Sequence, residues 1–212
     1  MNDSQYRWLE LLGVFILLPL VGFAARAHLQ NWLIPALITL TAFCCFILLT
    51  DPHFKRFRLT SLGQFAAVRK RIATFFMVGA LLSGVLYGII NQDNWFSYPL
   101  ESPASWLMLL VLYPLLSVLP QELIFRTYFF HRYKRIIPSK TARVWLSAAV
   151  FALAHMVYGN LIAVALAFAG GLLFSYTYAQ SRSTAVCVLE HSIWGLWMFT
   201  LGIGSYIDSG AI

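Results

Sequence analysis

The sequence predicts an all-α, polytopic integral membrane protein with about seven transmembrane helices. Of its 212 residues, 60% are hydrophobic and only 11% are charged, whereas a soluble domain carries about 25% charged residues. The mean hydropathy is +0.73. The apolar residues form runs of about 20, the length at which a helix satisfies its own backbone across a bilayer. Residues 1–212 are therefore interpreted as a single transmembrane domain without internal repeats.

Seven apolar runs qualify as spans. They are Trp8–Ala25, Trp32–Thr50, Ile72–Ile90, Trp106–Phe130, Val144–Tyr158, Leu161–Ala179 and Thr184–Ile207. The true count could be about six to eight, because the fifth run is short and the fourth contains Pro114 and Pro120, which remove backbone donors and can kink a helix. The first run is predicted to remain as an uncleaved span, since it is long for a signal peptide and contains Glu10.

The basic residues predict the orientation of these spans. They lie before the first span, between spans two and three, between spans four and five, and before the seventh; apart from Arg26, the intervening loops carry none. Only Arg26 and Arg126 fall elsewhere. The positive-inside rule then predicts a cytoplasmic N-terminus and an outside C-terminus, in a bacterial inner membrane. The formal net charge of +7 is explained by the bilayer surface, so nucleic-acid binding is not expected.

Two further features are interpreted as structural. The linker Asp51–Arg71 is too polar to span and mixes aromatic with basic residues, so it could lie along the interface as an amphipathic helix or form an ordinary solvated loop. Cys44, Cys45 and Cys187 lie inside apolar runs, and their spacing fits neither a disulfide framework nor a zinc site. They are predicted to be small buried apolar residues.

Few ionisable side chains remain inside the predicted spans, and such residues mark either a site or a buried pair. They are Glu10, Glu122, Arg126, His155, Glu190 and His191. Counted from the nearest basic anchors at about 1.5 Å of rise per residue, Glu122, His155 and His191 lie about 15, 18 and 14 Å from the cytoplasmic surface. Because three helices present polar groups at one depth, we predict one shared polar cavity that faces the cytoplasm.

Each of these residues also has a purely structural explanation. Glu122 and Arg126 are one helical turn apart and could form a local ion pair. His155 could be a hydrogen-bonded packing residue, and Glu190 could pair with His191. Other intramembrane peptidase layouts do not fit the chain, because it has no HExxH motif, no serine in a Gly-x-Ser-Gly context and no paired aspartates within the spans.

Three short motifs resemble those of a known family. They are QELIFR (Gln121–Arg126), FALAH (Phe151–His155) and HSIWG (His191–Gly195). In order and spacing they resemble the Glu-Glu-x-x-x-Arg, Phe-x-x-x-His and His-x-x-x-Asn/Asp motifs of the CPBP (Abi) family, whose eukaryotic relative is the CAAX prenyl endopeptidase. The resemblance covers about Trp106–Ile207 and implies an intramembrane endopeptidase core. It also implies that the first Glu activates water, the second-motif His helps to hold it, and the third-motif pair steadies the oxyanion.

Two positions depart from the family pattern. Gln121 replaces the first Glu, and an amide cannot take a proton from water. Gly195 replaces the closing Asn or Asp and offers no side-chain donor. Three accounts stay open: Glu122 acts as the base while Gln121 orients the water; His155 or Glu190 takes that role; or the peptidase chemistry has been lost.

The predicted function is hydrolysis of a peptide bond in a membrane-embedded peptide or protein, by an activated water and without a cofactor. The candidate site residues are Gln121, Glu122, Arg126, His155, Glu190 and His191. A divalent metal held by Glu122, His155 and His191 is a minor alternative. The chief rival is a catalytically silent relative that binds or scaffolds a membrane partner, and a carrier of small solutes or protons would use the same acids and histidines.

Overall fold

The computed structural model describes residues 2–206, and these residues contain seven helices that are long and apolar enough to cross a membrane. The spans are Asp3–Ala24, Arg26–Thr50, Phe65–Ile90, Pro103–Arg132, Lys140–Tyr158, Leu161–Ser181 and Thr184–Leu201. No strand occurs within the described residues. The prediction of an all-α, polytopic integral membrane protein is thus confirmed. The predicted end of the seventh span, Ile207, lies outside the described residues.

Polar side chains cap the N-terminal ends of the last three spans. Ser139, Asn160 and Ser183 each accept a hydrogen bond from a backbone N–H in the first turn of the helix that follows, which satisfies donors that have no partner inside the helix. Gly159 has a φ of 73°, a left-handed conformation that glycine adopts without a Cβ penalty. The chain therefore leaves the fifth span and enters the sixth within a very short turn.

The fourth span departs from regular α-helix at two places. Residues Tyr113–Val118 and Leu123–Tyr128 form π-helical turns. Pro114 lies in the first of them and Pro120 lies between the two. Proline lacks the N–H that would continue the regular ladder, and wider turns accommodate the interruption. In the helix that bears the first motif, the directions of successive side chains therefore differ from those that a regular α-helical period would give.

The linker between spans two and three is shorter than predicted. The third span begins at Phe65 rather than Ile72, so the basic residues of the predicted linker's last part belong to a helix. The remaining segment contains only a short 3₁₀ turn, Arg56–Leu59. Neither the interfacial helix nor a continuous solvated loop over Asp51–Arg71 describes it. The basic residues misled the prediction because long basic side chains can extend from a helix end to the bilayer surface.

The core of the protein lies in its C-terminal half. In the most apolar stretch of the fourth and seventh spans 44% of the residues are buried, against 11% in the first and third. Spans five and six approach closely at Gly171, where a Cβ would lie 3.0 Å from the Ala148 Cα. Small residues permit such contact between membrane helices. The outer spans therefore face lipid, and the last four enclose the polar groups.

The carboxylate of Glu10 joins the first span to the end of the fourth. Its oxygens accept hydrogen bonds from the Tyr128 hydroxyl at 2.5 Å, the Tyr133 hydroxyl at 3.0 Å and the Arg132 Nη2 at 2.6 Å. Four polar groups are thereby satisfied together in a poorly hydrated setting. This explains Glu10 as a structural residue that holds two spans together.

Replacing Glu10 by alanine is expected to lower the free energy of unfolding by about 2–3 kcal/mol, because it removes the partner of Arg132 and of two tyrosine hydroxyls in a partly buried site. Thermal unfolding in detergent micelles measures the change. The matched control is Asp3→Ala, which breaks only the ion pairs of an exposed carboxylate with Arg7 and Arg135 and should cost less than about 1 kcal/mol. Equal losses in the two variants would contradict the structural role of Glu10.

Basic residues from several loops meet at one end of the bundle. They border a cleft of about 480 Å³ and are Arg7, Lys55, Arg58, Lys134, Arg135 and Arg182. At this end Asp51 accepts a hydrogen bond from the ring of His131 at 2.8 Å. Burial raises the pKa of Asp51, but the hydrogen bonds from His131 and the His53 backbone outweigh it and lower that pKa to about 2. The carboxylate is therefore ionised at neutral pH and ties the second loop to the fourth span.

Candidate active site

A cavity of about 220 Å³ lies between the last four spans. Its polar lining comes from three of them: Tyr113, Ser117 and Gln121 on the fourth, His155 and Tyr158 on the fifth, and His191 and Trp194 on the seventh. The sixth span adds mainly small and apolar side chains, among them Ala163, Ala167 and Gly170. At least one member of each sequence motif therefore borders the same space.

The cavity lies away from the basic end of the bundle. The side chains of the fifth span that line the cavity, from Phe151 to Tyr158, belong to the half of that span remote from the basic loops. Those on the seventh span, from His191 to Met198, run from its middle towards the same end. The lining thus does not support a cavity that faces the basic end. The depth estimate gave the level of the motif residues but carried no information about where the empty space extends.

Glu122 lies behind this cavity rather than on its wall. Its side chain is fully buried and absent from the cavity lining. One carboxylate oxygen, Oε1, accepts a hydrogen bond from His191 Nδ1 at 2.8 Å and lies 3.2 Å from Arg126 Nη1. The local ion pair with Arg126 is therefore formed, and His191 joins it. A carboxylate so enclosed holds a histidine more readily than it activates a water in the cavity.

Arg126 is held on all sides by the surrounding helices. Its guanidinium lies over the Phe151 ring, 4.2 Å from the centroid, and 5.4 Å from that of Phe174. Nη2 donates to the Gly171 carbonyl at 3.4 Å. Such cation–π contacts are strong where water is absent. Arg126 thus fixes Glu122 in place and borders the site without lining it.

His155 lies in the last turn of the fifth span, a 3₁₀ turn that ends at Tyr158. Its Nδ1 lies 2.8 Å from the Phe151 carbonyl oxygen. Because a carbonyl can only accept, Nδ1 carries the proton, and in the neutral ring Nε2 has the lone pair. His155 therefore offers an unprotonated nitrogen from the wall of the cavity.

His191 bonds a charged carboxylate, whereas His155 bonds a neutral backbone carbonyl. Its Nδ1 donates to the Glu122 carboxylate, and its ring stacks on Phe174 with centroids 4.4 Å apart and planes 18° from parallel. A carboxylate stabilises the positive charge of a protonated imidazole, whereas a backbone carbonyl does so much less. The two histidines therefore share a cavity in unlike electrostatic surroundings, which is an arrangement that separates acid from base.

Gln121, not Glu122, presents its side chain to the cavity. Its Nε2 donates to the Ser117 Oγ at 2.9 Å, and its Oε1 has no hydrogen-bond partner among residues 2–206. The position that the family fills with its first Glu thus borders the cavity together with His155. An amide oxygen without a partner can accept a hydrogen bond from a water, but an amide cannot take the water's proton.

Glu190 does not join the site. It is fully buried and accepts a short hydrogen bond from the Thr177 hydroxyl, while Arg71 Nη2 lies 3.4 Å from its Oε1. Neighbouring residues on a helix point about 100° apart, so His191 lines the cavity and Glu190 faces the third span. The prediction that Glu190 belongs to the shared cavity is wrong, and its pairing with His191 does not occur.

Two lining residues, Tyr113 and Ser117, were missed in the sequence. Both precede Gln121 at intervals of four residues, which places them on one face of a helix. That spacing is the signal that could have found them. The search for ionisable side chains passed over them, because neither is charged at neutral pH.

Comparison with known proteins identifies a related family. Residues 102–197 match the family model of the type II CAAX prenyl endopeptidases, described as Rce1-like. No curated protein and no solved structure matches the chain. Among residues 2–206 no three histidine, cysteine or acidic side chains are grouped so that they could hold a metal ion. This matched segment carries the three motifs and the cavity-lining residues from Tyr113 to Gly195, and it is similar to the Rce1-like CAAX prenyl endopeptidases.

Proposed function

We propose that the protein is an intramembrane endopeptidase that hydrolyses a peptide bond of a membrane-associated protein in the cavity bordered by Gln121, His155 and His191. The observation that carries the proposal is the pair of histidines on one cavity, one bonded to a carbonyl and the other to a carboxylate. The family supports this activity at a general level. The substrate is a peptide or protein held in or at the bilayer.

In this mechanism His155 is the general base. Its Nε2 takes a proton from a water, which the Gln121 amide holds by hydrogen bonds, and the resulting hydroxide attacks the scissile carbonyl carbon. The protonated His155 then gives this proton to the leaving amide nitrogen as the C–N bond breaks. The enclosed position of Glu122, behind the cavity wall, supports His155 rather than Glu122 as the base.

In the same mechanism His191 stabilises the oxyanion. The Glu122 carboxylate compensates the charge of a protonated His191, whose Nε2–H then donates to the oxygen that becomes negative in the tetrahedral intermediate. Glu122 and Arg126 are positioning residues. Glu122 acts through His191, and Arg126 acts by holding Glu122 while its guanidinium contacts Phe151 and Phe174. Burial strengthens each of these interactions because the local dielectric is low.

The basic end of the bundle is proposed to lie at the cytoplasm. It collects basic residues from the first span and from the three loops that the positive-inside rule places inside. The N-terminus is then cytoplasmic and the C-terminus outside, in a bacterial inner membrane. Under this orientation the cavity begins near mid-membrane and extends towards the outer side.

A catalytically silent binding protein is the second candidate function. The observation that favours it is the amide of Gln121 on the cavity wall, where relatives of the family carry a carboxylate. A protein of this kind would bind a membrane partner in the cavity without cleaving it. Glu122, Arg126 and His191 would then serve as a buried polar network that fixes the helices.

The proposal is tested by a cleavage assay with the purified chain in lipid nanodiscs. The probes are a fluorescence-quenched peptide with a C-terminal CAAX sequence and a prenylated cysteine, and the same peptide without the prenyl group. We expect hydrolysis of at least one peptide, at a single bond identified by mass spectrometry. If neither is cleaved, and if membrane peptides of cells that lack the protein match those of wild type, the silent function is correct.

A further inference from the structure

Gly195 is the position where the third motif lacks its side chain. It follows His191 by one helical turn and borders the same cavity, so a side chain here would project beside the His191 ring. In the family pattern this position carries Asn or Asp. Its replacement by glycine removes a polar side chain, which in the case of Asn is a hydrogen-bond donor, from the part of the cavity that is proposed to hold the oxyanion.

Another side chain fills the vacated space. A Cβ built on Gly195 would lie 2.1 Å from the hydroxyl oxygen of Tyr113, and 2.4 and 2.5 Å from its Cε1 and Cζ. These distances are far below van der Waals contact, so Tyr113 in this position requires glycine at 195. The ring is held edge-on by Phe199 at 5.2 Å between centroids and by His191 at 6.3 Å.

The hydroxyl of Tyr113 is available as a donor. The residue is only 7% exposed and lines the cavity, and within residues 2–206 its hydroxyl forms no hydrogen bond with another side chain or carbonyl. A buried tyrosine hydroxyl normally has a partner. A ligand group that accepts a hydrogen bond in the cavity would supply it, and a developing oxyanion is the strongest such acceptor.

We propose that the Tyr113 hydroxyl is a catalytic residue that donates to the oxyanion beside His191, in place of the side chain that Gly195 lacks. This rests on the proposed endopeptidase function. Tyr113 and Gly195 form a matched pair, because any side chain at 195 would displace the phenol ring. The donor is thus supplied by the fourth span instead of the seventh.

The decisive variant is Tyr113→Phe, which keeps the ring and its packing but removes the donor. We expect kcat for the CAAX peptide to fall by about 10²-fold, the lower end of what one oxyanion donor contributes. KM and the melting temperature should stay unchanged. Tyr178→Phe is the matched control, since that buried tyrosine lies at the basic end of the bundle, away from the cavity. It should leave kcat unchanged.

A binding measurement separates this proposal from the proposed function. The probe is the prenylated peptide with a trifluoromethyl ketone at the scissile bond, whose hydrate resembles the tetrahedral intermediate. Wild type should bind it at least about 10²-fold more tightly than the substrate peptide, and Tyr113→Phe should lose most of that preference. If wild type shows the preference and the variant keeps both preference and kcat, Tyr113 is a packing residue only and the inference is overturned. If wild type shows neither preference nor cleavage, the proposed function fails and the inference fails with it.

A paired exchange adds a gain of function that packing alone would not produce. Tyr113→Ala opens the space, and adding Gly195→Asn returns an amide donor from the seventh span. The double variant should bind the ketone and cleave the peptide better than Tyr113→Ala alone. Gly195→Asn without the first change should lose activity, because its Cβ overlaps the phenol. A double variant no better than Tyr113→Ala would contradict the exchange.

Discussion

His155→Gln is expected to lower kcat for the CAAX peptide by about 10³-fold, the contribution of a well-placed general base. Glutamine retains polar atoms near the wall of the cavity but cannot accept a proton at neutral pH. The hydrogen bond from His155 Nδ1 to the Phe151 carbonyl is replaceable by the amide, so we expect the fold to persist. Initial-rate kinetics in nanodiscs measure the change, and a thermal unfolding curve verifies the fold.

The matched control for this prediction is His131→Gln. His131 lies on the fourth span, bonds Asp51 at the basic end and does not border the cavity. Its loss should leave kcat within about twofold, since contacts outside the site rarely change the chemical step. A His155→Gln variant that keeps wild-type kcat would show that the base is another group.

The spans and their order could be predicted from the sequence because they depend on the length and apolarity of each run alone. The fourth span shows the limit of this reasoning. Its apolar run was recognised at Trp106–Phe130, while the helix extends over Pro103–Arg132 and includes two π-helical turns. Hydropathy does not report a change of helical period, because that change depends on how prolines and neighbouring helices compensate the lost hydrogen bonds.

The depth of the candidate site residues in the membrane could be predicted from the sequence, but the directions in which their side chains point could not. Glu122 and His191 were placed at one level, and they are in contact at 2.8 Å. Which of two adjacent residues turns towards the cavity could not be read from depth. Gln121 borders the cavity and Glu122 does not; His191 borders it and Glu190 does not. Adjacent side chains share a depth but point about 100° apart, and only the packed helices determine which face meets the empty space.

The pairing of Glu190 was hidden for a related reason. Its partner Arg71 was assigned to a loop, since basic residues were used to mark loop regions. The third helix begins earlier, and Arg71 reaches inward to Glu190 and Thr177 from a position inside the span. A buried carboxylate requires a partner, so an unexplained acid in a span is itself a reason to search the adjoining basic residues.

The exchange of a carboxylate for an amide at Gln121 separates two functions that a pair of glutamates combines. The second acid, Glu122, is kept and holds His191. The first, which would face the cavity, is absent. An enzyme with this arrangement depends on His155 for proton transfer. A silent binding protein needs neither His155 nor a carboxylate at position 121 as a base. The two cases predict opposite responses to the return of the missing acid.

Gln121→Glu is accordingly expected to raise kcat by about 10²-fold, because a carboxylate on the cavity wall adds a second group that can take the proton from water. Initial rates on the same peptide measure the rise, and the control is Gln64→Glu, the same chemical change at an exposed residue before the third span. That control should leave kcat unchanged.

The effect of Gln121→Glu in a protein that also carries His155→Gln identifies the groups that act together with the new carboxylate. If His155 and the new carboxylate share the water, Gln121→Glu should restore part of the activity that His155→Gln removes, since either group can then accept the proton. Full rescue would mean that the carboxylate alone suffices as base. A Gln121→Glu protein that folds and remains inactive would mean that the cavity lacks more than a base. In that case Tyr113 and His191 do not stabilise an oxyanion, and the amide at Gln121 marks a site that binds without cleaving.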